Sequence, residues 1–327
     1  MRQLDATIET FPIRGVFAIA RGSRTVSTVV HARVSQDGVA GQGECVPYRH
    51  YGETPESVLA QMESARTDIE GGAGRDELLR LLPAGAARNA TDAALWDLEA
   101  RLAGQPAWRL AGLDCSPETR TVRTLSLDTP EAMASEAAKV SGFGTLKLKL
   151  DGRDDIARVE AVKAAAPGCA LLVDANESWD PADLESQLHA LAGLGVAMVE
   201  QPVKPGDDRL LERIERPLPV GADESFHTEA DLERVARRYD VVNLKLDKTG
   251  GLTAALAIRR AAEARGLGIM VGCMVGTSLS MAPALVLAHG ARFVDLDGPY
   301  LLARDREPGL RLEPDGRMGW NGELWGG

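Results

Sequence analysis

Apolar and polar residues alternate in TLKLKLDG (145–152), which sets Leu146, Leu148 and Leu150 on one face of a strand and Lys147 and Lys149 on the other. The same rhythm returns in NLKLDKTGG (243–251), where Lys245 lies between Leu244 and Leu246. Lysine at alternate positions ordinarily marks the solvated face of an antiparallel strand. The surroundings argue otherwise here. From TVRTLSLD at 121 to FVDLDGP near 298, short apolar runs alternate with longer helical segments, the pattern of a parallel sheet covered by helices, and in such a sheet neither face is wet.

A polar or sulfur-bearing residue closes each apolar run: Lys149, Asp174, Glu200, Asp223, Lys245, Cys273 and Asp295 follow one another at intervals of 22 to 28 residues. That interval is one strand plus one helix. With TVRTLSL as the first strand the runs number eight, and eight such units closing on themselves make an α/β fold of the (β/α)8 barrel type, with its chemistry at the carboxyl ends of the strands. An open doubly wound sheet is the alternative, weakened because no GxGxxG turn follows the first strand.

Residues 1–117 follow a different pattern: ATIETFPI and STVVHARVS read as antiparallel strands, and TPESVLAQMESARTDI and NATDAALWDLEARLAG as helices. This is an α+β unit, in which ARGSRT and PYRHYGET read as loops. A chain of 327 residues, 44% hydrophobic and 26% charged, suits one large domain with a smaller one. No basic leader or membrane-length apolar run is present, so a cytoplasmic location and no membrane association are expected. A net charge of -11 without a basic block speaks against nucleic-acid binding. Cys45, Cys115, Cys169 and Cys273 form no CxxC pair and read as buried thiols.

Asp174, Glu200 and Asp223 close three successive strands, so in a barrel their carboxylates converge. Alone, each is a plausible cap residue; together their repulsion calls for a hard divalent cation, and an all-oxygen set suits Mg2+, one per subunit. Asn176 and Glu224 are placed to hydrogen-bond those carboxylates or a lysine. The strands of Lys149 and Lys245 lie on either side of the three acidic ones. Burial and a neighbouring cation disfavour a charged ammonium and fit it to act as a base. A substrate held between two such groups loses a proton to one and regains it from the other, which is racemisation or epimerisation; Lys147 is placed to neutralise the substrate carboxylate.

These residues resemble the enolase superfamily, whose use of a Lys base with Mg2+ is a known pattern. Within it they resemble the muconate-lactonising subgroup and its dipeptide epimerases: RGSRT and GECVPYRHYGE are similar to the two capping loops, followed by the KxK strand, the three carboxylates, NLKLDKTGG and DLDGP. The resemblance implies a (β/α)7β barrel over 118–299 and a capping domain over 1–117 joined by 300–327. It implies catalytic Lys149 and Lys245, metal ligands Asp174, Glu200 and Asp223, and an α-ammonium site at Asp295 and Asp297. Arg24 is implied for the glutamate side chain, with Cys273 and Met274 lining the pocket beside Lys147. The implied reaction interconverts L-Ala-D-Glu and L-Ala-L-Glu, a peptidoglycan fragment, by two-base proton transfer through an enediolate, in a homo-oligomer. An acylamino-acid racemase, a cycloisomerase or an o-succinylbenzoate synthase is the alternative within the subgroup.

Overall fold

A computed structural model describes residues 1–327. β1 (Arg2–Ile19), β2 (Gly22–Gln36) and β3 (Val39–Cys45) form an antiparallel sheet in that order. RGSRT is therefore a tight hairpin rather than a free loop, and Arg24 belongs to β2 opposite Phe17 of β1. β3 was not legible in advance, because VAGQGEC shows no alternation of apolar residues. Its glycines serve contact instead. A Cβ on Gly41 would lie 2.2 Å from the Ala94 carbonyl oxygen, and one on Gly43 the same distance from that of Ala90, so the sheet packs against the backbone of helix Ala86–Ala103. That helix is rich in alanine and nearly all buried, since the sheet covers one side and the barrel the other.

β4 (Glu118–Arg120) pairs with β14 (Arg317–Gly319), which pairs with β13 (Arg311–Leu312). Between them runs the eight-stranded parallel sheet: β5 (Arg123–Leu125), β6 (Thr145–Lys149), β7 (Ala170–Asp174), β8 (Met198–Glu200), β9 (Val220–Ala222), β10 (Val241–Lys245), β11 (Gly268–Gly272) and β12 (Phe293–Asp295), each beside the next. The seam between β12 and β5 is closed by the Val122 N–H on the Val294 carbonyl at 2.9 Å and the Leu296 N–H on Thr121 Oγ1 at 2.8 Å. The expected barrel forms. Its helical layer is less regular than the spacing implied, for only a 3-10 turn, Asp208–Glu212, lies between β8 and β9. Pro202, Pro205, Pro217 and Pro219 in that segment deny a helix the backbone donors it needs. After β12 only a helix of one turn, Gly298–Leu301, follows before the chain runs back to the N-terminal unit, where Trp325 Nε1 donates to the Ala93 carbonyl at 2.9 Å.

The main core lies outside the barrel, where Leu146, Leu148, Val173, Val199, Val242, Leu244 and Val271 pack under the helices. No helix is long and apolar enough to cross a membrane. The cysteines only partly match expectation: Cys45 is buried, Cys169 and Cys273 are half-buried, and Cys115, in a polar turn, is exposed.

Candidate active site

Strand alternation builds the barrel interior in layers. Leu172, Met198, Val241 and Met270 form a buried apolar floor. Two residues on, along the same faces, stand Asp174, Glu200, Asn243 and Gly272. Gly272 leaves room for its neighbour, since a Cβ there would lie 2.5 Å from Asn243 Oδ1. Backbone pairing sets Lys149 beside Asp174, Asp174 beside Glu200, and Gly272 beside Asp295. The opening pattern is thereby explained: Lys147 and Lys149 face this polar layer, and Lys147, Lys149 and Lys245 are all buried.

Buried charges need partners, and these interlock. Lys147 Nζ lies 2.6 Å from Asp295 Oδ2, 2.6 Å from Glu200 Oε2 and 3.2 Å from Asp174 Oδ2. Lys149 Nζ donates to Asp174 Oδ2 at 2.5 Å, and Lys245 Nζ to Asp223 Oδ2 at 2.6 Å. Lys248, not singled out from the sequence, donates to the other Asp223 oxygen at 2.6 Å. Burial works to lower the ammonium pKa of Lys147 and of Lys245, but the facing carboxylates outweigh it and hold both above the usual lysine range. That reverses the expectation from burial alone. Burial likewise opposes ionisation of Asp174, yet Lys149 and Lys147 bring its pKa to about 2; Asp223, between Lys245 and Lys248, is also held low. Glu200 is raised by burial and by Asp174, and Glu224 is pushed up to about 7 by burial, Asp223 and Asp174.

Asp174, Glu200 and Asp295 gather around the Lys147 ammonium, while Lys149 and Lys245 take up charge of Asp174 and Asp223, so lysine nitrogens stand among these carboxylates. The donor set nevertheless suits a hard cation. Glu200 Oε2 is a buried oxygen whose one partner is the Lys147 ammonium at 2.6 Å, which leaves it a further lone pair. Glu224 Oε2, Asn176 Oδ1 and Asn243 Oδ1 are buried and have no donor. Buried oxygens of this kind call for a ligand, and an oxygen-only set selects a Mg2+-like ion.

Asn176 behaves as expected, its N–H donating to Asp174 Oδ1 at 3.0 Å and its Nδ2 to Glu224 Oε1 at 3.4 Å. Glu224 pairs not with a lysine but with Arg21, at 2.6 Å. Arg21 also reaches the Asn176 carbonyl at 3.0 Å and Glu177 at 2.8 Å, fastening the β1–β2 hairpin to the loops after β7 and β9. Its fork suits that role, and sequence reading missed it in favour of Arg24. Arg24 differs in having no carboxylate against it: burial lowers its pKa, Tyr48 and Cys273 are its neighbours, and its guanidinium lies 5.5 Å from the Phe17 ring centre.

Arg24, Tyr51, Lys149, Lys245, Cys273 and Met274 all line one cavity of about 50 Å³. Met274 also packs with Phe11, Phe17 and Val46 between hairpin and barrel, so it serves core and cavity together. An adjoining recess of about 30 Å³ shares Lys149 and Lys245 with that cavity and adds Lys147, Asp295 and Asp297 to the lining. Asp297 accepts the Thr124 N–H at 2.7 Å, and burial together with Asp295 pushes its pKa up to about 6.

Residues 131–305 match the family model described as enolase C-terminal domain-like, and residues 2–112 that of the mandelate racemase / muconate lactonizing enzyme N-terminal domain. The chain belongs to this enolase superfamily branch. Among its members, an L-Ala-D/L-Glu epimerase of Escherichia coli (strain K12) is 46% identical over 95% of this chain and 98% of its own. An N-acetyl-D-glutamate racemase of a Pseudoalteromonas species is 44% identical over 88% and 91%. A crystal structure of an enolase family member from Agrobacterium tumefaciens with homology to dipeptide epimerases, containing sodium and L-Ala-L-Glu, superposes with a TM-score of 0.98 at 46% identity over 100% of both chains. Beside the residues expected from the superfamily pattern, the fold brings Arg21, Gln201, Asn243 and Lys248 to this site. Only Asn243 had a usable signal: it shares the inward face of Lys245, two positions earlier.

Proposed function

We propose that the protein is a Mg2+-dependent dipeptide epimerase interconverting L-Ala-D-Glu and L-Ala-L-Glu, a fragment of murein peptide. The observation that carries this reading is the presence of Lys149 and Lys245 in the wall of one cavity, one paired with Asp174 and the other with Asp223. A base on each side of an α-carbon is what inversion needs: one lysine takes the proton and the other returns it to the opposite face. Asp174, Glu200 and Asp223 would hold the Mg2+, whose charge offsets that developing on the substrate carboxylate as the proton leaves. Lys147, between Glu200 and Asp295, adds a fixed positive charge. Arg24, free of any facing carboxylate, receives the glutamate side chain. Asp295 and Asp297 receive the dipeptide ammonium, whose charge offsets the burial and the Asp295 repulsion that raise the Asp297 pKa.

The same proposal takes residues 1–117 with 300–327 as the cap and 118–299 as the barrel, in a cytoplasmic homo-oligomer. The second reading, an acylamino-acid racemase, is favoured by one observation, the 44% identical N-acetyl-D-glutamate racemase. An acylated nitrogen carries no charge for Asp295 and Asp297 to hold. Exchange of the α-proton in D2O, followed by proton NMR on L-Ala-D-Glu, its N-acetyl derivative and N-acetyl-D-glutamate, separates the two. The free dipeptide is expected to exchange fastest, with acetylation costing about thirtyfold to several thousandfold in kcat/KM. Equal kcat/KM for free and acetylated substrates transfers the assignment to the racemase.

A further inference from the structure

We propose that Gln201 is the positioning residue that sets the spacing of Glu200 and Asp223 and so the strength with which the site holds its divalent cation. This rests on the metal reading above. Gln201 follows Glu200 directly, is fully buried, and has a left-handed backbone with φ of 35°, which a side chain other than glycine adopts only when its surroundings impose it. One amide ties two strand ends together. Gln201 Oε1 accepts the backbone N–H of Asp223 at 2.9 Å and of Ser225 at 3.0 Å. The two N–H groups of its Nε2 are shared among three acceptors, the Val203 carbonyl at 2.8 Å, Ser225 Oγ at 2.9 Å and the Tyr239 hydroxyl at 3.1 Å. The Gln201 N–H in turn donates to the Gly221 carbonyl at 2.9 Å, in the strand that leads into Asp223. Behind it Ser225 and Tyr239 are anchored on Asp208 at 2.8 and 3.2 Å, and Arg238 holds that carboxylate at 2.7 Å. The amide thus ties the backbone at Glu200 to the backbone at Asp223, although it touches neither carboxylate, these being held by Asn243 and Lys147 and by Lys245 and Lys248 respectively.

The test is isothermal titration of the full-length protein with Mg2+, beside its melting temperature without added metal. Gln201→Gly deletes the amide while permitting the left-handed backbone, and Leu188→Ala, in the core outside the barrel, serves as a variant that is destabilised without touching the site. Gln201→Gly is expected to raise the Mg2+ Kd by about 10- to 100-fold, the usual effect of removing a group that orients a ligand. Its activity should recover at high Mg2+, so that the loss appears in the metal requirement more than in kcat. Leu188→Ala should melt earlier with an unchanged Kd. An unchanged Kd in folded Gln201→Gly overturns the proposal. Should that variant not fold, Tyr239→Phe decides: it removes one partner of Nε2, a smaller rise in Kd is expected, and a wild-type Kd overturns the proposal. Absence of Mg2+ binding by the wild type itself instead overturns the metal reading on which this one stands.

Discussion

Lys149 and Lys245 each spend their hydrogen bond on a different carboxylate, Asp174 and Asp223, so the two ammoniums are kept apart by the acidic strands between them. Replacing either with Ala should abolish epimerisation, by at least the ~100-fold that a positioned base contributes. The variants should differ in what survives, each still exchanging with solvent the α-proton of the stereoisomer that faces its remaining lysine. Deuterium incorporation into the separate L,L and L,D dipeptides, monitored by NMR, reads this directly; wild-type epimerisation in both variants would rule out two bases. The alternation that exposed these lysines in the sequence also places Asn243, whose Nδ2 donates to Glu200 at 2.6 Å. Lys248 and Arg21 lie beyond their strands, where no periodicity tells a side chain's direction.

At the level of elements, function depends on how helix Ala86–Ala103 meets the turn after β10. Arg88 donates to the Gly250 and Thr249 carbonyls at 2.9 and 2.7 Å, and Asp92 accepts the Thr253 N–H at 3.0 Å. Gly250 has φ of 76°, and a Cβ there would lie 2.4 Å from Arg88 Nε. Gly250→Ala is therefore expected to cost at least about 1–3 kcal/mol from the backbone alone, seen as a lower urea midpoint. Asp247, in the same interface, accepts the Val46 N–H at 3.2 Å and Asn89 Nδ2 at 2.8 Å, and burial pushes its pKa up to about 7. The folded protein then keeps a proton that the unfolded chain releases near pH 4, so Asp247 makes stability fall as pH rises from about 4 to 7 and level off above. Asp247→Asn lacks this dependence. Relative to wild type it should gain stability between pH 5 and pH 8 in urea melts at each pH, and a gap that does not change with pH would refute the raised pKa.

For the whole molecule, the site sits where the hairpin of one unit closes over the strand ends of the other, and its oxygen donors come from three successive barrel strands. A cation bound there links folding to metal. Mg2+ should raise the melting temperature, with about 2.7 kcal/mol of added stability at a hundred times its Kd. EDTA should remove both that gain and the activity, and Asp223→Asn should show little of either. Full activity in protein shown to be metal-free by elemental analysis would exclude the ion from the reaction.

What the sequence by itself determined was periodic. A strand's two faces and a strand-plus-helix repeat are local properties, so the barrel, the inward lysines and the strand-end acids Asp174, Glu200, Asp223 and Asp295 were all legible from spacing. The substrate class came from a resemblance and not from those periods. Three-dimensional packing decided the rest. Arg21 meets Glu224 203 residues away, and Lys147 meets Asp295 148 residues away. Such partners depend on how the hairpin docks and how the barrel closes. The pKa values of Lys147 and Lys245 turned with them, because burial can be foreseen from an apolar strand, whereas the carboxylate that outweighs it is supplied only by another strand.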